Sequence, residues 1–168
     1  MLDMMKMKVV CTLAALLLMG AVWANDGITG KVVTVIDGNT LEVVGDDNET
    51  VKVSLIGIDC PELGQEYGDK AKNFLEKMIL EKKVAVKFQG KDRWGNYLAI
   101  VTFKGDVDPR VELLKEGLAW TAEKNPIPEF EQYKEKAREK NKGLWKQESP
   151  IAPWIYRRQQ TMLQPKSS

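Results

Sequence analysis

The chain has 168 residues, which is enough for one domain with a hydrophobic core. It carries 25 basic and 24 acidic residues, and this near balance excludes a protein that binds a polyanion through a large net positive charge. Any binding to nucleic acid therefore depends on a local patch. The absence of histidine excludes Ser-His triads, histidine general bases and histidine metal sites.

The first 24 residues have the pattern of a secretory signal. Lys6 and Lys8 precede a short apolar run, and the segment ends at Ala24 before polar residues. The run is shorter than the roughly 20 apolar residues of a membrane span. We expect cleavage after Ala24, a secreted or periplasmic protein, and no membrane contact afterwards; an uncleaved anchor is the alternative. The mature chain would have 23 basic and 23 acidic residues and one cysteine, Cys60, and hence no internal disulfide.

Three strands are predicted at the start of the mature chain. Alternating, β-branched residues indicate strands over 31–36, 40–44 and 51–55, and an Asp-Gly turn joins the first two. In the first strand, the alternation places Val32 and Thr34 on the same face. The three strands form a meander.

Two carboxylates, Asp59 and Glu62, follow the third strand on either side of Pro61. Acidic side chains at the exit of a strand lie at the rim of a barrel or sheet, where a hard cation or a metal-bound phosphate binds. A solvated turn has the same composition, so this pattern alone leaves both readings open. Cys60, between them, is expected to be a small half-buried filler, with intermolecular pairing as the alternative.

The hydrophobic period then switches between helix and strand. Apolar residues at helical spacing predict an amphipathic helix over 71–79, alternation predicts a strand over 84–88, and an apolar run predicts another over 98–103. Further along, Asp108 is expected to cap a helix that stops at Gly117, and a last helix begins near Phe130. These elements, with the preceding meander, give five strands and about three helices; the three tryptophans Trp120, Trp145 and Trp154 are expected to be packing aromatics.

Five short strands with a helix after the third indicate an α+β protein built on a five-stranded OB-fold Greek-key β-barrel. Several stretches also resemble the staphylococcal nuclease (thermonuclease-like) family, in order and at the family's spacing: 35–40, 55–62, 65–68, 92–96, 116–120, 143–145 and 153–157. The resemblance covers nearly the whole mature chain. We expect a single SNase-like domain over 25–158 and a disordered tail over 159–168.

The resemblance implies a calcium-dependent phosphodiesterase that cleaves DNA and RNA. In such a site carboxylate oxygens hold Ca²⁺ against the phosphate, a glutamate orients or deprotonates the attacking water, and two arginines clamp the phosphate. By matching positions, Asp59 is a metal-binding carboxylate and Glu62 is the general base.

Three positions depart from the family's pattern. Asn39 stands in place of the second metal carboxylate, and Ser54 and Asn96 stand in place of the two clamp arginines. An arginine acting on a phosphoryl transition state is worth on the order of 10³–10⁵ in rate, and one anion-stabilising donor on the order of 10²–10³. We therefore expect a degenerate catalytic centre, with at most weak calcium binding at Asp59 and Asn39 and no other cofactor.

The resulting expectation is a monomeric binding module with a nuclease fold. Its groove would be lined by Lys52, Arg93, Trp94 and Tyr97 and would accept single-stranded nucleic acid or a protein partner. A slow calcium-dependent nuclease, with Lys52 as a substitute phosphate contact, is the alternative, and a purely structural role is a third.

Overall fold

The computed structural model describes residues 26–163. The predicted signal segment, 1–24, and the end of the predicted tail, 164–168, lie outside the described residues. Within 26–163, no helix is long and apolar enough to cross a membrane.

Five strands form a barrel: β1 Gly27–Val35, β2 Thr40–Gly45, β3 Thr50–Leu55, β5 Lys83–Lys91 and β6 Tyr97–Phe103. The barrel is closed, and its strand order is β1-β2-β3-β6-β5. All neighbouring pairs are antiparallel except β3 and β6, which are parallel. This confirms the predicted five-stranded α+β barrel.

The first strand contains an irregularity that alternation alone does not predict. The pairing of β1 with β2 shifts register between Val32 and Thr34, so an extra residue, Val33, is inserted into the strand. As a result Val32 and Val35 face the core, whereas Thr34 is exposed. The predicted common face of Val32 and Thr34 is therefore wrong, because the bulge reverses the alternation after Val32.

A second, two-stranded sheet lies outside the barrel. It pairs β4, Ile58–Asp59, with β7, Trp120–Thr121. Gly57 makes the turn from β3 into β4 with a φ of +80°, and a Cβ there would lie 2.3 Å from the Ile127 side chain. Only glycine tolerates both conditions, so the turn fixes where Asp59 leaves the barrel.

Within residues 26–163, four helices surround the barrel, where the sequence predicts about three: α1 Gly68–Ile79, α2 Pro109–Lys115, α3 Pro128–Glu139 and α4 Pro153–Leu163, with a short 3₁₀ helix at Gly143–Lys146. The additional helix, α4, runs five residues into the segment predicted as a disordered tail. Residues 159–163 include glutamine, methionine and leucine, which have good helix propensity.

The interior of the barrel is apolar and continues beneath α1 and α2. Ala71, Leu75 and Ile79 on α1 are fully buried against it, as the predicted amphipathic pattern requires. On α2, Asp108 caps the helix and Pro109 is its first residue. Arg110 is buried beside that cap, which makes this helix terminus an anchor for the barrel.

Candidate functional site

An open groove of about 1210 Å³ runs along α4 and is called the α4 groove below. Its walls are the acidic turn after β4, the β5–β6 turn, the segment after β7 and one face of α4. Four basic and three acidic side chains line it: Arg93, Lys124, Arg157, Arg158, Asp59, Glu62 and Glu123. The groove is thus slightly basic in a chain whose charges nearly balance, which makes it the local patch that polyanion binding needs.

Arg157 bridges the two predicted site carboxylates. Its Nη1 donates to Asp59 Oδ1 at 3.0 Å and to Glu62 Oε1 at 2.6 Å, and its Nη2 donates to Asp59 Oδ2 at 2.7 Å. Asp59 therefore accepts from the guanidinium through both oxygens, in the paired geometry that arginine and carboxylate favour. The two acids and the arginine form one hydrogen-bonded unit.

This unit is partly open to solvent. The side chain of Arg157 is 47% exposed, that of Asp59 18% and that of Glu62 38%. The hydrogen bond that Arg157 donates to Asp59 is the main cause that raises the pKa of its guanidinium above the usual value. The guanidinium therefore stays charged at every physiological pH, and one of the two negative charges at the turn is permanently compensated.

Two kinds of contact hold α4 in place. Trp154 packs edge-on against Trp120 with ring centres 5.6 Å apart, and Trp120 packs on Trp145 at 4.6 Å. Next to them, Arg158 Nη2 donates to Glu123 Oε1 at 2.6 Å. The aromatic contacts are the packing role predicted for these three tryptophans, and they set the position from which α4 presents Arg157.

Asn39 serves as an internal brace. Its Nδ2 donates to Ile58 O at 3.1 Å and to Leu55 O at 3.4 Å, while its Oδ1 accepts from the Cys60 backbone N–H. An aspartate carboxylate has no donor for those two carbonyl groups. The amide that replaces the family's carboxylate thus ties the end of β3 to the acidic turn, and its oxygen is already engaged.

Cys60 faces inward although its neighbours face the groove. The residue is 4% exposed, and its Sγ lies 3.2 Å from Gly38 O, to which it donates. Burial is the main cause that raises the pKa of the thiol well above its usual value, and the nearby carboxylate of Asp59 adds to it. The sequence predicts a half-buried filler, and in the structure Cys60 is more deeply buried than that, because its side chain turns toward Gly38 and the core.

The positions of the missing clamp arginines are occupied by side chains with local roles. Ser54 is half-buried on β3, where it pairs with Thr40 and Leu98. Asn96 closes the β5–β6 turn, since its Nδ2 donates to Asp92 Oδ2 at 2.8 Å. Neither side chain lines the α4 groove.

The four residues predicted to line a groove divide into two pairs. Arg93 and Trp94 line the α4 groove together with Asp59 and Glu62. The Trp94 side chain is 71% exposed, and the Arg93 guanidinium carbon lies 4.0 Å from its ring centre.

The other pair lies elsewhere on the surface. Tyr97 stacks on Phe88 with ring centres 4.2 Å apart and lines a separate, smaller pocket. Lys52 is exposed on β3 opposite Glu42 and does not line the α4 groove. The structure therefore does not bring Lys52 or Tyr97 to the carboxylates.

Sequence reasoning missed Arg157 as a site residue. A signal is present at the Pro153–Arg157 stretch, where Trp154 is able to anchor a helix and Arg157 is followed directly by a second arginine, Arg158. That stretch supports the family resemblance, but nothing local in it indicates that Arg157 contacts Asp59, which lies 98 residues earlier.

The fold and the groove define a class: a small OB-type barrel with a carboxylate pair at the rim of a basic, partly aromatic groove. The family model described as Staphylococcal nuclease homologue matches residues 52–147. The chain belongs to this family.

Several relatives are similar over most of their length. An "Uncharacterized endonuclease" of Escherichia coli O157:H7 is 34% identical over 131 residues, which cover 77% of this chain and 85% of the relative. Another of Haemophilus influenzae is 36% identical, covering 79% and 74%. A "Micrococcal nuclease" of Shigella flexneri is 30% identical over 156 residues, covering 86% and 89%. The resemblance to the nuclease family is thereby confirmed.

Nucleases of this family generally depend on calcium, so the donor set needs a direct test. Calcium prefers six to eight oxygen ligands, several of them carboxylate. Here both oxygens of Asp59 accept from Arg157, and the Asn39 oxygen accepts from a backbone N–H. Among residues 26–163, no group of three or more His, Cys, Asp or Glu side chains is arranged to hold a metal ion. The residues present do not fit a calcium ion in this arrangement.

Proposed function

We propose that this nuclease-family protein binds single-stranded nucleic acid in the α4 groove and has a degenerate catalytic centre that cleaves it at most slowly. One observation carries the proposal: the guanidinium of Arg157 occupies the space between Asp59 and Glu62. The carboxylates that would hold a metal and activate water are engaged with an internal cation instead.

The substitutions at the three family positions support weak catalysis. Asn39 uses its oxygen for a backbone contact, and Ser54 and Asn96 bring no positive charge to the groove. Because a transition-state arginine is worth on the order of 10³–10⁵ in rate, the loss of both family arginines leaves little stabilisation for the charge that develops on phosphate.

The side chains along the groove favour nucleic acid over a protein partner. Single-stranded nucleic acid is bound by basic grooves that also offer aromatic faces to the bases. Trp94 provides an exposed face, and Arg93, Lys124 and Arg158 provide charge along the same groove. A protein partner that competes for the groove is the other outcome of the test below.

The proposal is tested by measuring both binding and cleavage with the purified protein. Anisotropy of a labelled oligothymidylate reports binding, and gel analysis of single-stranded DNA and RNA with calcium and with chelator reports cleavage. We expect binding without appreciable cleavage. The Trp94→Ala variant should bind about tenfold or more weakly, since base stacking is worth about 1–3 kcal/mol.

Two further variants decide between the degenerate centre and a slow enzyme. The triple variant Asn39→Asp, Ser54→Arg, Asn96→Arg restores the family pattern, and a gain of cleavage in it supports the degenerate reading. Cleavage by the unmodified protein in calcium that Glu62→Gln abolishes would overturn that reading. No binding to any oligonucleotide, with capture of a protein partner that Trp94→Ala weakens, would overturn the choice of nucleic acid.

We also propose that the protein is exported. The support is the basic and apolar pattern that ends at Ala24. The mass of the protein recovered from the periplasm or the medium should match a chain that begins at Asn25; recovery of the unprocessed chain from the cytoplasm would contradict this.

A further inference from the structure

Arg157 has donors that the two carboxylates do not use. A guanidinium has five N–H groups in a rigid plane. Three of them donate to Asp59 and Glu62, two from Nη1 and one from Nη2. Two remain, the N–H of Nε and the second N–H of Nη2, and among residues 26–163 neither has an acceptor in the structure.

The two remaining donors lie on one edge of the guanidinium. Nη1 and Nη2 both donate to the Asp59 carboxylate. Of the two hydrogens on Nη2, the one that bonds Asp59 is therefore the one that lies parallel to an Nη1 hydrogen. The other Nη2 hydrogen lies parallel to that of Nε. Two parallel N–H groups form the fork that binds a carboxylate or a phosphate through two oxygens.

This edge belongs to a side chain that lines the groove and is 47% exposed. Its orientation is fixed from the opposite side by three hydrogen bonds of 2.6–3.0 Å. A fork that is already oriented loses less conformational entropy when it binds a ligand. The arrangement is that of a preformed anion site next to an exposed tryptophan.

We infer that Arg157 is the phosphate-binding arginine of the α4 groove, that it holds a backbone phosphate of single-stranded nucleic acid through Nε and Nη2, and that Asp59 and Glu62 are its positioning residues. The inference rests on the proposed function, because it names the contact within that same groove. In this chain the two acids thus orient a cation from α4, and the phosphate contact does not need calcium.

The decisive variant is Arg157→Lys, because it keeps the charge and removes the fork. We expect it to weaken binding of a labelled oligothymidylate about tenfold while leaving the salt dependence of binding nearly unchanged. Arg157→Gln should weaken binding further and reduce the salt slope by about 0.7, the value for one phosphate contact on a single strand. Both are measured in chelator, where the unmodified protein should bind as it does in calcium.

A matched control is available on α3. Arg138 is exposed and does not line the groove. Among the described residues it has one ion pair, with Glu135 at 4.0 Å, and its guanidinium carbon lies 5.9 Å from the Trp145 ring centre, a contact that lysine can keep. Arg138→Lys should therefore bind within about twofold of the unmodified protein. The melting temperature of each variant checks that the fold is unchanged.

A direct readout comes from the arginine Nε–H signals in an NMR spectrum. The Arg157→Lys variant identifies the Arg157 signal by its disappearance. That signal should shift when oligonucleotide is added, whereas that of the buried Arg110 should not. This readout does not depend on the stability of any variant.

The outcomes separate the two proposals. If the unmodified protein binds and Arg157→Lys binds equally well, or if the Arg157 Nε–H signal does not move, the assignment of Arg157 is wrong while the proposed function stands. If binding disappears in chelator, the calcium-independent contact is wrong. If the unmodified protein does not bind oligonucleotide at all, the proposed function fails, and this inference fails with it.

Discussion

Two arginine–aspartate pairs in this molecule differ in which edge of the guanidinium they use. Arg110 donates from Nε and Nη2 to Asp108, at 3.0 and 2.6 Å, and from Nη1 to Ile56 O at 3.1 Å. Its side chain is 5% exposed. Arg157 instead uses its Nη1 and Nη2 end on Asp59, which leaves the Nε edge without an acceptor among the described residues, on a side chain that lines the groove and is 47% exposed.

The difference distinguishes an arginine with a structural role from one that is able to bind a ligand. Arg110 is buried, uses its Nε and Nη2 edge on Asp108 and lies 4.9 Å from the centre of the Phe130 ring. Because solvent and ligands do not reach it, its role is to hold elements together. An arginine that is oriented on one edge and open on another can accept a ligand. The pairing with aspartate is common to both, so the ion pair alone does not indicate function.

The largest expected effect is on stability and comes from the buried pair. Arg110→Met should lower the free energy of unfolding by about 3 kcal/mol, because it leaves the Asp108 carboxylate and the Ile56 carbonyl without their partner. Urea denaturation measures it. A loss below about 1 kcal/mol would mean that the pair is not the anchor described above.

A smaller loss is expected at the brace between β3 and the acidic turn. Asn39→Asp removes the donor to Ile58 O and Leu55 O and should cost about 1–2 kcal/mol. Asn73→Asp, which adds the same charge at an exposed position of α1, is the matched control for urea denaturation. Equal stability of the two variants would contradict the bracing role.

The open pair should contribute little to stability. Arg157→Met is expected to change the free energy of unfolding by less than about 1 kcal/mol, since the side chain is half-exposed and its ion pairs are screened by solvent. The same denaturation experiment measures it. A loss as large as that of Arg110→Met would remove the contrast between the two arginines.

The last expected effect is on reactivity and not on stability, and it concerns Cys60, which shares the acidic turn with Asp59 but faces the core. The full chain has a second cysteine, Cys11, within the predicted signal segment, so the test uses a Cys11→Ala background. There the Cys60 thiol should react with a disulfide reagent at pH 8 on the order of 10²-fold more slowly in the folded protein than in denaturant. Burial and the raised pKa both keep the reactive thiolate scarce. Rapid reaction in the folded state would show that the turn opens readily.

The sequence predicts the barrel because the barrel depends on local periodicity. Alternation indicates β1, β2, β3 and β5, an apolar run indicates β6, and the spacing of Ala71, Leu75 and Ile79 indicates α1. The bulge at Val33 escapes this reasoning, because a single inserted residue reverses alternation without changing composition. The β4–β7 pair escapes it as well, because two residues are too few to show a period.

The site is predictable only in part, for a different reason. Asp59 and Glu62 are recognisable from a short motif, and Arg93 and Trp94 from a polar turn that carries one aromatic. Arg157 reaches those carboxylates from 98 residues away through a helix docked by Trp154. No spacing rule connects such positions. The sequence therefore indicates Lys52, on β3, as the cation of the site, whereas in the structure the cation at the carboxylates is Arg157.

The position of α4 at the end of the described chain also affects how the protein is made. During synthesis every barrel strand, through Phe103, and β7 leave the ribosome before Pro153. Until α4 docks, Asp59 and Glu62 face solvent without their arginine, and the groove repels polyanions. On the proposed function, nucleic acid binds only once α4 is in place, and a cut at the exposed Ile151 that releases α4 would remove the binding site.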